Sequence, residues 1–410
     1  MRDVSGVGSI FPPRSLHIRI GKKQIGFSRL TLCVACVLSL LTGSASPHDA
    51  SSYGGVFRSR DLGATWLNAD VGLFLNAALI IAIDPRDSSH LLAGTDLGIL
   101  SSHNAGRSWV PEARDVIIGA VFALAFSPDG QLAVCAAASG VFRRDGDGWR
   151  RVEAPESALP AHALVAGPAN NRFYLLGRSG LFASEDGGRS FAAVPGLPDT
   201  SDITALVAIP GSPDILAAVI DGRAMISHDG GQSWRNAGFG DTATPVDTVA
   251  TDATRPQRIW AAAGGRIVFS DDLGAGWHSV GRSLPEARVR VRGIAASADG
   301  TTLVVSSDRG IYRSGDGGGT WAQKEDNLPI HLEAGPLARD PNDAEVIYAV
   351  FSLMPYAEVW RMAVEGGNLL ARIEPISLAG GLSFCLLVLI GGGLAARHLL
   401  RRRGTAYSPH

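Results

Sequence analysis

One short pattern returns seven times along this chain, and its spacing limits what the chain can fold into. It opens as Ser59-Arg60-Asp61-Leu62-Gly63-Ala64-Thr65-Trp66. It returns at Ser102–Trp109, Ser184–Phe191, Ser227–Trp234, Ser270–Trp277 and Ser314–Trp321, with a copy one residue shorter at Arg143–Trp149. The aspartate position falls at Asp61, Asn104, Asp145, Asp186, Asp229, Asp272 and Asp316, in steps of 41 to 44 residues. A repeat of that length is one supersecondary unit that buries its apolar face only by stacking on its neighbours. About forty residues per unit fit a four-stranded propeller blade.

The residue types in the pattern suit a tight hairpin. Each copy follows a short apolar run, such as Gly55-Val56-Phe57-Arg58. The aspartate accepts hydrogen bonds from backbone amides just downstream, and glycine supplies positive φ. The serine or threonine hydroxyl satisfies nearby backbone groups. The closing ring, at Trp66, Trp109, Trp149, Phe191, Trp234, Trp277 and Trp321, buries a large apolar surface. These residues read as structural turns. The acidic stretch at Asp145-Gly146-Asp147 offers too few oxygens at fixed spacing for calcium, so no metal or cofactor is expected.

A second repeat marks the innermost strand. An apolar residue followed by alanine occurs at Ile81-Ala82, Leu124-Ala125, Val165-Ala166, Val207-Ala208, Val249-Ala250, Ile294-Ala295 and Leu337-Ala338. Small side chains suit strands crowded around one axis. The expected fold is all-β, a seven-bladed β-propeller, with six or eight blades left open. The array is out of phase at its ends, which predicts that the N-terminal outer strands complete the blade begun by residues 335–351. Glu358-Val359-Trp360-Arg361-Met362 also alternates like a strand and competes with Gly55–Arg58 for that place.

Ser/Thr-x-Asp-x-Gly-x-Thr/Ser-Trp resembles the Asp box of the bacterial-neuraminidase-repeat superfamily, over residues 53–362. Units such as Gly310-Ile311-Tyr312-Arg313-Ser314-Gly315-Asp316-Gly317-Gly318-Gly319-Thr320-Trp321 are most similar to the photosystem II stability and assembly factor family and its non-photosynthetic bacterial relatives. That resemblance implies an exported seven-bladed propeller acting as a protein-binding scaffold. Sortilin-type receptors are more distantly similar, but their ten blades and cysteine-rich module are absent. Resemblance to sialidases implies an arginine triad, a tyrosine–glutamate nucleophile and a Phe/Tyr-Arg-Ile-Pro motif. No such motif occurs, and Tyr53, Tyr174, Tyr312, Tyr348 and Tyr356 have no evident glutamate partner.

The chain ends carry address signals. Residues 1–45 read as a signal peptide: a basic region from Arg14 to Arg29, an apolar run from Leu30 to Leu41, then Gly43-Ser44-Ala45. An uncleaved anchor is the competing reading. After the propeller at 46–362 and a tether at 363–375, residues 376–396 form an uncharged run long enough to span a bilayer. Arg397, Arg401, Arg402 and Arg403 follow it, so residues 397–410 are expected in the cytoplasm and the propeller outside. Cys33 and Cys36 lie in the signal and Cys385 in the anchor, which leaves Cys135 without a disulfide partner.

In the superfamily, ligands bind near the axis on the face opposite the Asp boxes. Counting back from the repeated alanines places Arg288, Arg290, Arg292, Asp247, Glu333, His162 and Asp202 at that mouth. The three arginines are candidates to grip a carboxylate or phosphate. The structural reading pairs Arg292 with Asp247 and Arg290 with Glu333 across blades. A net charge of −2 gives no footprint for nucleic acid. The expected function is a membrane-anchored extracytoplasmic scaffold binding an unidentified, membrane-associated protein or peptide. The alternatives are an exo-acting glycosidase of sialidase type and a carbohydrate-binding propeller without hydrolysis.

Overall fold

The repeated turns form a hydrogen-bonded cage. Ser59 Oγ donates to Asp61 Oδ1 (2.7 Å) and accepts the Gly63 amide (2.8 Å). Asp61 in turn accepts the Thr65 amide (2.8 Å) and the Thr65 hydroxyl (2.6 Å). Gly63 sits at φ 77°, which a glycine adopts without cost. The turns at 184–190, 227–233 and 314–320 repeat this cage. The short copy departs from it: Asp145 ends a strand, is paired with Gly148, and holds Arg143 at 2.7 Å.

Because each turn closes a hairpin, the strands between turns fold into four-stranded antiparallel sheets. The computed structural model describes residues 54–365, apart from residues 72, 74, 147, 170, 199, 200, 242, 253 and 287, together with residue 391. Seven such sheets are present among the described residues. Blades 1 to 6 open with the strands Ala78–Asp84, Val121–Phe126, Ala163–Ala166, Ile203–Ala208, Val246–Thr251 and Val291–Ala296. Blade 7 opens with Glu333–Arg339. These first strands carry the repeated alanines and pack side by side around the axis. Second strands such as Phe173–Gly177, Leu216–Ile220 and Ile259–Ala263 are buried along their whole length between blades, which is why they read as unbroken apolar runs.

Blade 7 closes the ring. Its first two strands, Glu333–Arg339 and Ile347–Ser352, come from the C-terminal side, and Gly55–Ser59 and Leu67–Asn68 complete it. Gly55 pairs with Phe351 and Ser59 with Ile347. A Cβ at Gly55 would stand 2.0 Å from the Asp70 carboxylate, which accepts the Val56 amide, so only glycine fits. The competing strand at 358–362 is instead part of a helix, α1 (Tyr356–Glu365). Tyr356, Val359, Trp360 and Ala363 form an apolar stripe at helical spacing. On the other side Arg361 pairs with Glu358 and Glu365 at i−3 and i+4. The expectations for residues 1–45 and 397–410, and for 376–396 apart from residue 391, lie outside the described residues. Among the described residues no helix is long and apolar enough to cross a membrane.

Neighbouring blades are stitched through the turns in both directions. The indole of Trp109 donates to Ala69 O (2.6 Å), Trp277 to Ala237 O (2.7 Å) and Trp321 to Arg282 O (2.9 Å), each one blade back. Trp149 donates to Glu112 Oε1 (2.7 Å). Arg58, Arg143 and Arg313 reach forward to turn carbonyls of the next blade at Ala105, Gly187 and Leu62.

The carboxylate's geometry matters more in these turns than its charge. At 102–108, Asn104 stands in for aspartate: Oδ1 accepts the Ser108 amide (2.8 Å) and Nδ2 donates to the Ser108 hydroxyl (2.7 Å). Asp61→Asn is therefore expected to shift the urea midpoint little, whereas Asp61→Ala lowers stability by about 1–2 kcal/mol through lost hydrogen bonds. The Ser233 hydroxyl and amide hold Asp229 down to about 2. A carboxyl depressed in the folded state stabilises above its unfolded pKa, and that stability fades as pH falls from about 4 towards 2.

A candidate binding face at the mouth of the axial channel

Each first strand begins on the face away from the repeated turns, and the links between second and third strands return to that same face. In six blades the first strand opens with a register shift. The residues left over are Leu79, Phe122, Thr204, Asp247, Arg292 and the pair Gly335-Pro336. Such bulges re-aim a side chain at a barrel rim or site. The mouth is therefore ringed by equivalent positions from successive blades. It is apolar in blades 1 and 2, and polar from blade 4 round to blade 6.

Helix α1 lies on this mouth. The Phe122 ring meets Tyr356 and Trp360 edge-on, each with centroids 5.1 Å apart. Val359 is fully buried among Ala77, Leu79, Ala120 and Phe122. His162, from blade 3, stands edge-on to Trp360 at 5.0 Å. From blades 6 and 7, Arg292 donates to Glu333 Oε2 (2.6 Å), and the same oxygen accepts the Tyr356 amide (3.3 Å). The Arg292 guanidinium also lies 5.6 Å from the Tyr356 ring centroid. One short helix thus touches residues in, or leading into, the first strands of five blades.

Three of the expected site residues, Arg292, Glu333 and His162, therefore come together against α1. The expected pairing is corrected: Arg292 pairs with Glu333, not with Asp247, and Arg290 does not reach Glu333. The bulge that lifts Arg292 turns it towards blade 7. Arg290 is exposed, and its amide donates to Asp308 Oδ1 (2.9 Å). Arg288 is exposed at φ 61°, and Asp202 is tied through its amide to Asp221 (2.9 Å). Of the three arginines, Arg292 is the one in an ion pair among the described residues.

Asp247 is half-buried, and its Oδ2 has no hydrogen-bond partner among the described residues. Burial pushes its pKa up to about 6, and Asp308 adds repulsion, against the Val291 amide and Arg290. Burial also lowers His162, opposed by its hydrogen bond to Ile203 O (2.9 Å). The sequence reading missed Phe122, Tyr356 and Trp360. The one usable signal was the spacing of Tyr356, Val359, Trp360 and Ala363.

A cavity of about 410 Å³ opens between blades 3 and 4 on the turn face, beside Arg172 and Tyr174. Its arginine is already bound by Asp214 (2.5 Å) and Glu185 (2.7 Å). Tyr312 has a glutamate neighbour after all. Its pKa is raised first by burial and then by Glu286, but the ring is fully buried between blades 5 and 6 and cannot meet a substrate. Among the described residues no cluster of three His, Cys, Asp or Glu side chains is placed to hold a metal.

No family model matches the chain, and no curated protein matches it in sequence. Solved structures share its fold. YCF48 in complex with a D1 peptide superposes with a TM-score of 0.52 at 16% identity, over 69% of this chain and 94% of that one. YCF48 from Cyanidioschyzon merolae gives 0.53 at 17% identity, over 69% and 97%. The extracellular domain of a hybrid two-component system of B. thetaiotaomicron gives 0.52 at 13%, over 68% of this chain and 38% of that one. At these identities the likeness is one of fold, and the fold is that of a β-propeller.

Proposed function

We propose that this protein is a membrane-anchored extracytoplasmic propeller that binds a protein or peptide at its axial mouth. One observation supports this most: the mouth already holds a peptide, helix α1. It supplies an apolar wall from Leu79 and Phe122 for side chains and a carboxylate on Glu333 for a backbone N–H. These are the elements a helical peptide needs. The peptide in the YCF48 complex lends support by analogy of fold. We read the repeated turns as Asp boxes of the bacterial-neuraminidase-repeat type, residues 1–45 as the export signal and 376–396 as the anchor. The remaining polar arc, with Asp247, Arg290 and Asp308, is the part of the mouth open to a partner beside α1. No cofactor and no nucleic acid enter this reading.

Photocross-linking in cells tests it. A benzophenone side chain at Thr204 or Asp247 is expected to capture a discrete extracytoplasmic polypeptide, and one at Arg107 on the turn face is not. External protease should digest the propeller in spheroplasts without lysis. The same capture pattern from both faces, or protection from external protease, contradicts the reading.

A further inference from the structure

The large apolar side chains left in solvent are not scattered. Of the ten such side chains among the described residues, Leu67 and Val110 lie on the outer strands of blades 7 and 1. The other eight lie in connections on the mouth face, in the arc from the blade 6–7 link to the blade 1–2 link. None lies in the repeated turns of the opposite face. Leu97, at the tip of a blade 1 link, is 80% exposed, Ile118 62% and Leu353 51%, with Leu73, Val116 and Met354 beside them. Leu73, Leu97 and Ile117 line one groove of about 200 Å³, and the Leu353 amide donates to Asn76 O (2.7 Å) at its edge. Clustered exposed apolar surface of this kind marks an interaction site.

Both described ends of the propeller chain, Gly54 and helix α1, lie on the mouth face. Gly54 enters blade 7 beside Leu353 and Asn76. On the C-terminal side, residues 366–375, ten in all, separate α1 from the apolar run at 376–396. Ten residues reach at most about 35 Å. That leaves little slack to carry the chain around the propeller and hold its other face to a bilayer.

We infer that the mouth-face arc over blades 7 and 1 rests on the lipid surface, with Leu97, Ile118 and Leu353 in the headgroup region. The inference builds on the membrane-anchored reading. Apolar turn tips beside a tethered run gain area-proportional attraction to the bilayer, as interfacial segments do. The geometry then turns the mouth towards the membrane, where the exposed segments of membrane proteins emerge.

The full-length protein, carrying Cys33→Ser, Cys36→Ser and Cys385→Ala and keeping the buried Cys135, is reconstituted into phosphatidylcholine–phosphatidylglycerol liposomes. Single cysteines at Leu97→Cys, Ile118→Cys and, on the opposite face of the same blade, Arg107→Cys carry an environment-sensitive fluorophore. Doxyl-labelled lipid is expected to quench positions 97 and 118 about twofold or more and to leave 107 unquenched. Liposome flotation with unquenched 97 and 118 overturns the inference and leaves the anchor standing. Uniform quenching at all three positions also overturns it. Failure to float overturns both. An unquenched label at 97, together with disulfide dimerisation of the unlabelled Leu97→Cys protein on oxidation, assigns the patch to a second copy instead, which again overturns lipid contact.

Discussion

Trp66→Ala is expected to destabilise the protein by about 3–5 kcal/mol, more than the same change at Trp321. Trp66 is 1% exposed, packed with Leu62, Val304, Leu328 and Leu332, whereas Trp321 is half-buried. The site also has a topological role. Trp66 ends the hairpin turn between the two N-terminal strands that close blade 7, and Asn327 Nδ2 donates to its carbonyl (3.2 Å) from the preceding link. Losing the ring loosens the clasp on which closure depends, and an open propeller exposes unpaired sheet edges. Urea denaturation followed by circular dichroism reads the difference. Equal losses at Trp66 and Trp321 would show that closure has no special weight.

The second large effect concerns α1. Val359→Asp with Trp360→Asp removes two of the four apolar side chains that hold the helix to the mouth. Burying two such side chains contributes about 3 kcal/mol or more, and 1.4 kcal/mol is a tenfold change. The docking equilibrium constant should fall about 100-fold, and the released fraction rise in proportion. A ten-residue helix released into water is too short to persist, so trypsin should cut after Arg361 about 100-fold faster while the propeller stays intact. The outward pairs of Arg361 with Glu358 and Glu365 are exposed and should not rescue it. Cleavage at the wild-type rate would mean that the contacts with Phe122 and His162 contribute little.

The propeller was legible in the sequence because the repeat is one of local chemistry. Each turn must carry Ser, Asp and Gly at fixed offsets to make its cage, so the period shows in the letters. Closure was legible from phase: a first turn with no inner strand before it and a last inner strand with no turn after it must meet. Blade 7 does so through Gly55–Ser59 and Ile347–Ser352. Helix α1 was not legible as a helix. Glu358-Val359-Trp360-Arg361-Met362 alternates over five residues, a window too short to separate period 2 from 3.6. What decides is the surface it meets, the Phe122 wall on another blade. The charged mouth was legible by position and misread by pairing. Counting back from an alanine locates Arg292 and Asp247, but the extra residue of a bulge changes which neighbour each one faces. Asp308 escaped notice because it belongs to a turn between second and third strands, outside that register.

The central claim is that the mouth recognises a peptide and that α1 occupies that place in the chain itself. A fluorescent peptide spanning residues 352–366 is titrated into the full-length Val359→Asp/Trp360→Asp protein, and anisotropy is measured. The account predicts saturable binding that is lost when Phe122→Asp is added and is far weaker in the wild type, whose own helix competes. No saturable binding to the released variant, or binding indifferent to Phe122, would contradict it.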